Sequence, residues 1–191
     1  MRQNQARRAA LLDAAIDVLA REGARGLTFR AVDAQAGVPG GTASNYFANR
    51  DDLLTQAGTH VYERLTPDPE TMARSLEGPR DREKVLQLMH EVVGRVSAYR
   101  AGYLALLELR LEATRRPGLR AVLTPRIRKD VDDNVDYHLS SGLPGDATAV
   151  TLLYLAMNWL IVERLTLPDV FGEEQARELV ERAVERLIPE V

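Results

Sequence analysis

Apolar residues recur at three- and four-residue spacing along most of this chain, with charged residues set between them. Leu12, Ala15, Ile16 and Leu19 share one face of a predicted helix over 5–21, with Arg8, Asp13, Asp17 and Arg21 largely opposite. Gly23 and Gly26 are expected to end it, because glycine accepts the positive φ of a helix terminus. Thr28 is placed to cap a second helix carrying Phe29 and Val32, which Gly37 closes. Pro39 opens a third, predicted over about 39–47, where a first-turn proline loses no hydrogen bond. Asn49 caps a fourth, which Leu53, Leu54, Ala57, Val61 and Leu65 carry to a segment, 66–79, holding three prolines and a glycine. That segment reads as a linker.

Beyond it, Val85, Leu88, Met89, Val92, Val96 and Tyr99 line one face of 81–100, and a Leu-rich helix follows over 102–114. Val122, Leu123, Ile127, Val131 and Val135 mark a third over 119–139, closed by the turn SSGLPG. Asp146 then caps a helix that is apolar on nearly all sides through Val162, and such a helix must be covered all round. The last helix, 173–188, carries Ala176, Leu179, Val180, Ala183, Val184 and Leu187 as a stripe. A chain of 191 residues offers little to cover the second face of 147–162. These two helices are therefore expected to form half of an intermolecular four-helix bundle, with Leu152, Leu155, Trp159, Leu179, Val180, Ala183 and Leu187 at a homodimer interface. The competing arrangement is that both helices complete the core of one protomer.

Composition narrows the chemistry. With 45% hydrophobic and 28% charged residues the chain is globular, and with 5% aromatics and little β-branched alternation it is expected to be all-α. The absence of cysteine excludes disulfides, thiolate zinc sites and cysteine nucleophiles. Net charge is −3, but residues 1–50 hold seven arginines against four acids, so a +3 head precedes a −6 body. The longest uncharged run, 147–162, falls short of the ~20 residues a membrane span needs, and no signal peptide is visible, so no membrane association is expected. His60, His90 and His138 lie far apart, with no HExxH, phosphate-cradling glycine loop or nucleophile motif. No enzyme, cofactor or metal site is expected.

The stretch 28–50, TFRAVDAQAGVPGGTASNYFANR, has the punctuation of a helix-turn-helix, whose second helix enters a DNA major groove. Its third helix is built of small or polar residues, Gly40 to Asn45, a poor composition for packing, so a face reading base edges and phosphates would account for it. From Arg8 to Leu54 the sequence resembles the amino-terminal domain of the TetR-type (tetracycline-repressor) transcriptional regulators. The resemblance rests on ALLDAAIDVLAREGARGLTFRAV, AGVP-GGT and NYF-ANRDDLL, and covers about a quarter of the chain.

The resemblance implies an all-α homodimer with a three-helix DNA-binding head, 1–50, and a larger helical effector-binding and dimerisation domain, 51–191. It implies that Thr28 and Arg30 face DNA from the second helix. Pro39, Gly40, Thr42, Ser44, Asn45 and Tyr46 would lie on or beside the reading helix, and Arg50 would meet a phosphate. Arg2, Arg7 and Arg8 are either a solvated arm or further phosphate contacts. Three positions depart from the family pattern: Ala43 replaces a leucine, Ser44 a tyrosine, and Asp33 a small apolar residue. Asp33 and Ala43 are expected to compensate, the small side chain leaving room for a carboxylate that bonds backbone N–H groups of the turn or third helix; the competing reading is a head that is less stable until DNA binds.

The expected function is a cytoplasmic bacterial regulator, associated with the nucleoid when bound to a palindromic operator and released from it by a small effector. Met89, His90, Tyr99, Tyr103, Arg110, His138, Tyr154, Asn158 and Trp159 are the candidate pocket residues, being polar, aromatic or adaptable positions among apolar ones. They suggest an apolar or amphipathic effector. The alternative is a helical partner-binding or structural dimer with a vestigial DNA-binding head.

Overall fold

The computed structural model describes residues 2–190, with side chains from residue 4 onward, so the choice between solvated arm and phosphate contact for Arg2 lies outside the described side chains. Among the described residues the structure is all-α, with nine helices and no strand. The helices are α1 (Arg2–Gly26), α2 (Phe29–Gln35), α3 (Arg50–Leu65), α4 (Pro69–Ser75), α5 (Arg82–Ala98), α6 (Arg100–Ala113), α7 (Pro117–Ser140), α8 (Ala147–Thr166) and α9 (Glu173–Leu187).

By packing, the chain forms two compact units that differ from a cut at residue 50. One comprises 1–66 with 99–126, the other 67–98 with 127–191. In the first, α1 packs on α2, α3 and α6, burying Leu11, Ile16, Leu19, Leu27, Phe47, Leu53, Leu54 and Leu109 in one core. Thus α6 belongs with the head because its apolar face closes a core that three short helices would leave open. Gly58 permits the approach: an added Cβ would lie 3.0 Å from Leu123 and 3.4 Å from Leu109. Gly23 leaves helical geometry at φ 68°, and the freed Ala24 N–H donates to Glu108 on α6 (3.1 Å). Glu112, one turn further along α6, is held below the usual carboxylate range by its hydrogen bond to Arg116.

In the second unit α5, α8 and α9 pack on one another. Val85, Leu143, Leu153, Val184 and Ile188 make the core, with Leu86, Leu88, Met89, Ala183 and Leu187 against it. By length and composition α8 is able to cross a membrane, yet Val150, Leu153, Met157, Leu160 and Ile161 are buried in this unit. Asp146 caps α8 as expected, accepting from Ala149 N–H at 2.8 Å.

Two expectations are corrected. The supposed linker contains α4, started by the Asp68 cap and the first-turn Pro69, so its prolines begin a helix rather than preclude one. The predicted third helix over 39–47 is only a single 3-10 turn, Ala43–Asn45. Gly40 and Gly41 lose too much backbone entropy to propagate a helix, and Gly41 sits at φ 88°.

Candidate nucleic-acid interface

The turn that replaces the reading helix is held from beneath. Asp33 on α2 is 3% exposed, and Ala43 above it is fully buried. One carboxylate oxygen of Asp33 accepts from the Gly41 N–H and the other from the Ala43 N–H, each at 2.7 Å. These are the backbone bonds expected of Asp33, made beside a buried position that holds only a methyl group. A stretch with little helical propensity is thereby fixed by two charge-assisted bonds.

The turn also binds itself. Thr42 donates its hydroxyl to Pro39 O (2.5 Å), Ser44 to Gly41 O (2.8 Å), and Asn45 donates its amide to Gly41 O (3.2 Å). Their lone pairs stay available outward, since Pro39, Gly40, Ser44 and Asn45 are exposed and Thr42 and Tyr46 half-buried. Thr28 spends its hydroxyl as the α2 cap, accepting from Ala31 N–H at 3.1 Å, and Arg30 beside it is exposed.

Arg50 is placed differently from the expectation. Its guanidinium donates to Leu27 O (3.0 Å) and to Ala24 O, the carbonyls of the turn joining α1 to α2. It is half-buried and clamps this turn, because a helix C-terminus leaves carbonyls that need donors. Arg50→Lys is expected to lower the melting temperature of the DNA-free protein by several degrees, since a point ammonium does not reproduce the planar fork. An unchanged melting temperature with weakened DNA binding would return Arg50 to the phosphate role.

Around these residues the head is braced by further polar pairs. Arg8 donates to Gln56 (Nε at 3.0 Å) and lies over the Phe47 ring, 5.5 Å from its centre, so it ties α1 to α3. At the start of α3, Asn49 accepts from Asp52 N–H (2.9 Å) while Asp52 accepts from Ala48 N–H (2.9 Å). Hydrogen bonds from Gln56 and then Ala48 hold the Asp52 carboxyl below its ordinary range. His60 bridges Asp13 (3.1 Å) and Glu63 (3.2 Å).

The nine expected pocket residues are divided between the two units. Tyr99, Tyr103 and Arg110 belong to the first unit, where Tyr103 is buried and Arg110 exposed. Arg64 covers the Tyr99 ring at 4.6 Å, and burial raises the Tyr99 phenol. In the second unit Met89 packs on the core and buried His138 pairs with Pro144 O (2.8 Å). Tyr154 donates to Asp130 (2.8 Å), and Asn158 to Tyr154 O (2.8 Å). Trp159 is 65% exposed. His90 alone among the nine lines a cleft of about 410 Å³ between α5, α8 and α9, with Val93, Gly94, Arg164, Glu173, Ala176, Arg177 and Val180. Arginines and glutamates on amphipathic helices read as solvated, so their shared cleft leaves no trace in the sequence.

Residues 80–190 match the family model of the tetracyclin repressor-like C-terminal domain, and residues 11–57 match that of the bacterial regulatory proteins of the tetR family. The chain belongs to the TetR family. This TetR-family transcriptional regulator is similar to a family member from Streptomyces coelicolor A3, SCO1917, at 28% identity over 96% of this chain and 98% of that one, with a TM-score of 0.69. The multidrug binding protein EbrR, solved in complex with ethidium, is 29% identical over 93% of this chain and 97% of its own, with a TM-score of 0.64. A protein from Saccharomonospora viridis, solved in complex with choline, shares the fold at 18% identity over 98% and 100% of the two chains, with a TM-score of 0.74. Among curated proteins none matches the TetR-family chain.

Proposed function

We propose that this TetR-family regulator is a homodimeric repressor that leaves a palindromic operator when a small effector binds. Residues 1–50 read the DNA and 51–191 carry dimerisation and effector control. The observation that carries the reading is the Asp33-braced turn, in which Ser44 and Asn45 are exposed, as is Arg30 on the bracing helix α2. An element of such low helix propensity would not be held rigid and exposed for packing. Arg30 is suited to guanine and Asn45 to adenine, and two-fold symmetry sets half-sites one helical turn or a multiple apart.

The dimer rests on α8. Leu152, Leu155 and Trp159 are exposed at 45%, 58% and 65% and fall on one helical face, as their spacing of three and four requires. Leu179 on α9 is exposed too, whereas Val180 is buried and Ala183 and Leu187 are partly buried against the protomer core, so the exposed α8 face carries most of the proposed interface. Effector control has support from the similar EbrR, which holds ethidium.

Binding to short genomic duplexes, titrated with salt, tests the DNA function. Affinity is expected to fall by ~10³ or more between 50 and 200 mM salt if six or more phosphates are contacted. The self-bonded side chains of the turn also suit the alternative of a partner-binding dimer with a vestigial head. Absent or salt-insensitive binding to every fragment would favour it.

A further inference from the structure

We propose that the cleft between α5, α8 and α9 binds an amphipathic monocarboxylate, with Arg164 and Arg177 on the carboxylate and Val93, Ala176 and Val180 beneath the hydrocarbon. This rests on the effector-responsive reading above and names the chemical class of the effector. The cleft of about 410 Å³ lies in the range of small-molecule sites. Its floor is apolar: Val93 is 4% exposed, and Ala176 and Val180 are each 1% exposed. Two arginines from different helices, Arg164 on α8 and Arg177 on α9, line the same cleft. Among the described residues neither has an ion-pair or side-chain hydrogen-bond partner, unlike Arg182 further along α9, which pairs with Glu185. Unpaired planar forks lining one cleft match an oxyanion.

The charge sum selects a monoanion. Arg164 and Arg177 against Glu173 leave one positive charge before His90 is counted, so a dianion such as phosphate would meet Glu173 uncompensated. A quaternary ammonium is disfavoured, since the described lining contains no Trp, Tyr or Phe to face it.

Gly94 supplies the control that a mutated arginine does not. It lies in helical α5, is exposed, lines the cleft, and has no atom within 4 Å of an added Cβ. Leucine there enters open space at the cleft and replaces a weak helix former. The experiment uses the full chain with octanoate, and with octanol and inorganic phosphate as comparisons, followed by thermal shift and by anisotropy of a bound duplex. At ten times its Kd octanoate is expected to raise Tm by about 3–5 °C and to displace DNA. Octanol and phosphate are expected to do neither, and Gly94→Leu and the pair Arg164→Gln with Arg177→Gln to abolish the octanoate response without lowering the unliganded Tm. No octanoate response from a protein that still binds DNA, or an equal response in all variants, overturns the inference and leaves the regulator. A Tm response with no effect on bound DNA overturns the effector assignment. Octanoate binding by a protein that binds no duplex overturns the DNA function alone.

Discussion

Asp33→Ala is expected to lower the melting temperature by about 5–15 °C and to weaken operator binding at least tenfold. The carboxylate satisfies the N–H groups of Gly41 and Ala43 at 2.7 Å each, and Ala43 is wholly buried. Removing the acceptor strands the Ala43 N–H away from water, a loss of about 1–3 kcal/mol, and forfeits two bonds to a charged group. Exposed Gly41 can turn its N–H to solvent, so the total is roughly 2–4 kcal/mol, and a chain of this size loses about 2–4 °C per kcal/mol. Asp33→Asn keeps one acceptor oxygen and should fall between. Calorimetry without DNA, paired with anisotropy on the operator, checks both readouts. If Asp33→Ala leaves both unchanged, the brace has no role.

Replacing Trp159 and Leu155 together by glutamate is expected to give a folded monomer that binds its operator 10²–10⁴-fold more weakly. Each side chain stands exposed on α8 and would contribute about 1.5–3 kcal/mol when buried in a dimer. Neither belongs to the protomer core, so helicity should persist. The affinity loss follows from severing two short readers, whose linkage makes the second contact effectively intramolecular. Sedimentation velocity gives the mass and far-ultraviolet dichroism the fold. A double variant that stays dimeric would place the interface elsewhere, and an unfolded one would show that the face belongs to the protomer.

Much of the chain was legible because its signals are local. Thr28, Asn49 and Asp146 cap helices as their side chains predict, and the Asp33–Ala43 exchange was visible as a paired departure from the family pattern. Pro69 was misread because the same residue stops one helix and starts the next. The third helix is overdrawn, since the start signal of Pro39 says nothing of the entropy that two adjacent glycines lose in propagating it.

By itself the sequence determined the all-α class, the caps, the apolar stripes and the head's resemblance, all of which depend on residues within one or two turns of each other. Tertiary structure decided what depends on distant packing. It sent Val180 inward and left Leu155 and Trp159 bare, turned Arg50 onto the carbonyls of Ala24 and Leu27, and set Arg164 and Arg177 in one cleft. Periodicity shows that a helix has an apolar face. Which face is covered, and by which helix, is fixed only when the elements meet, and there the braced turn acquires its shape from a carboxylate ten residues before Ala43.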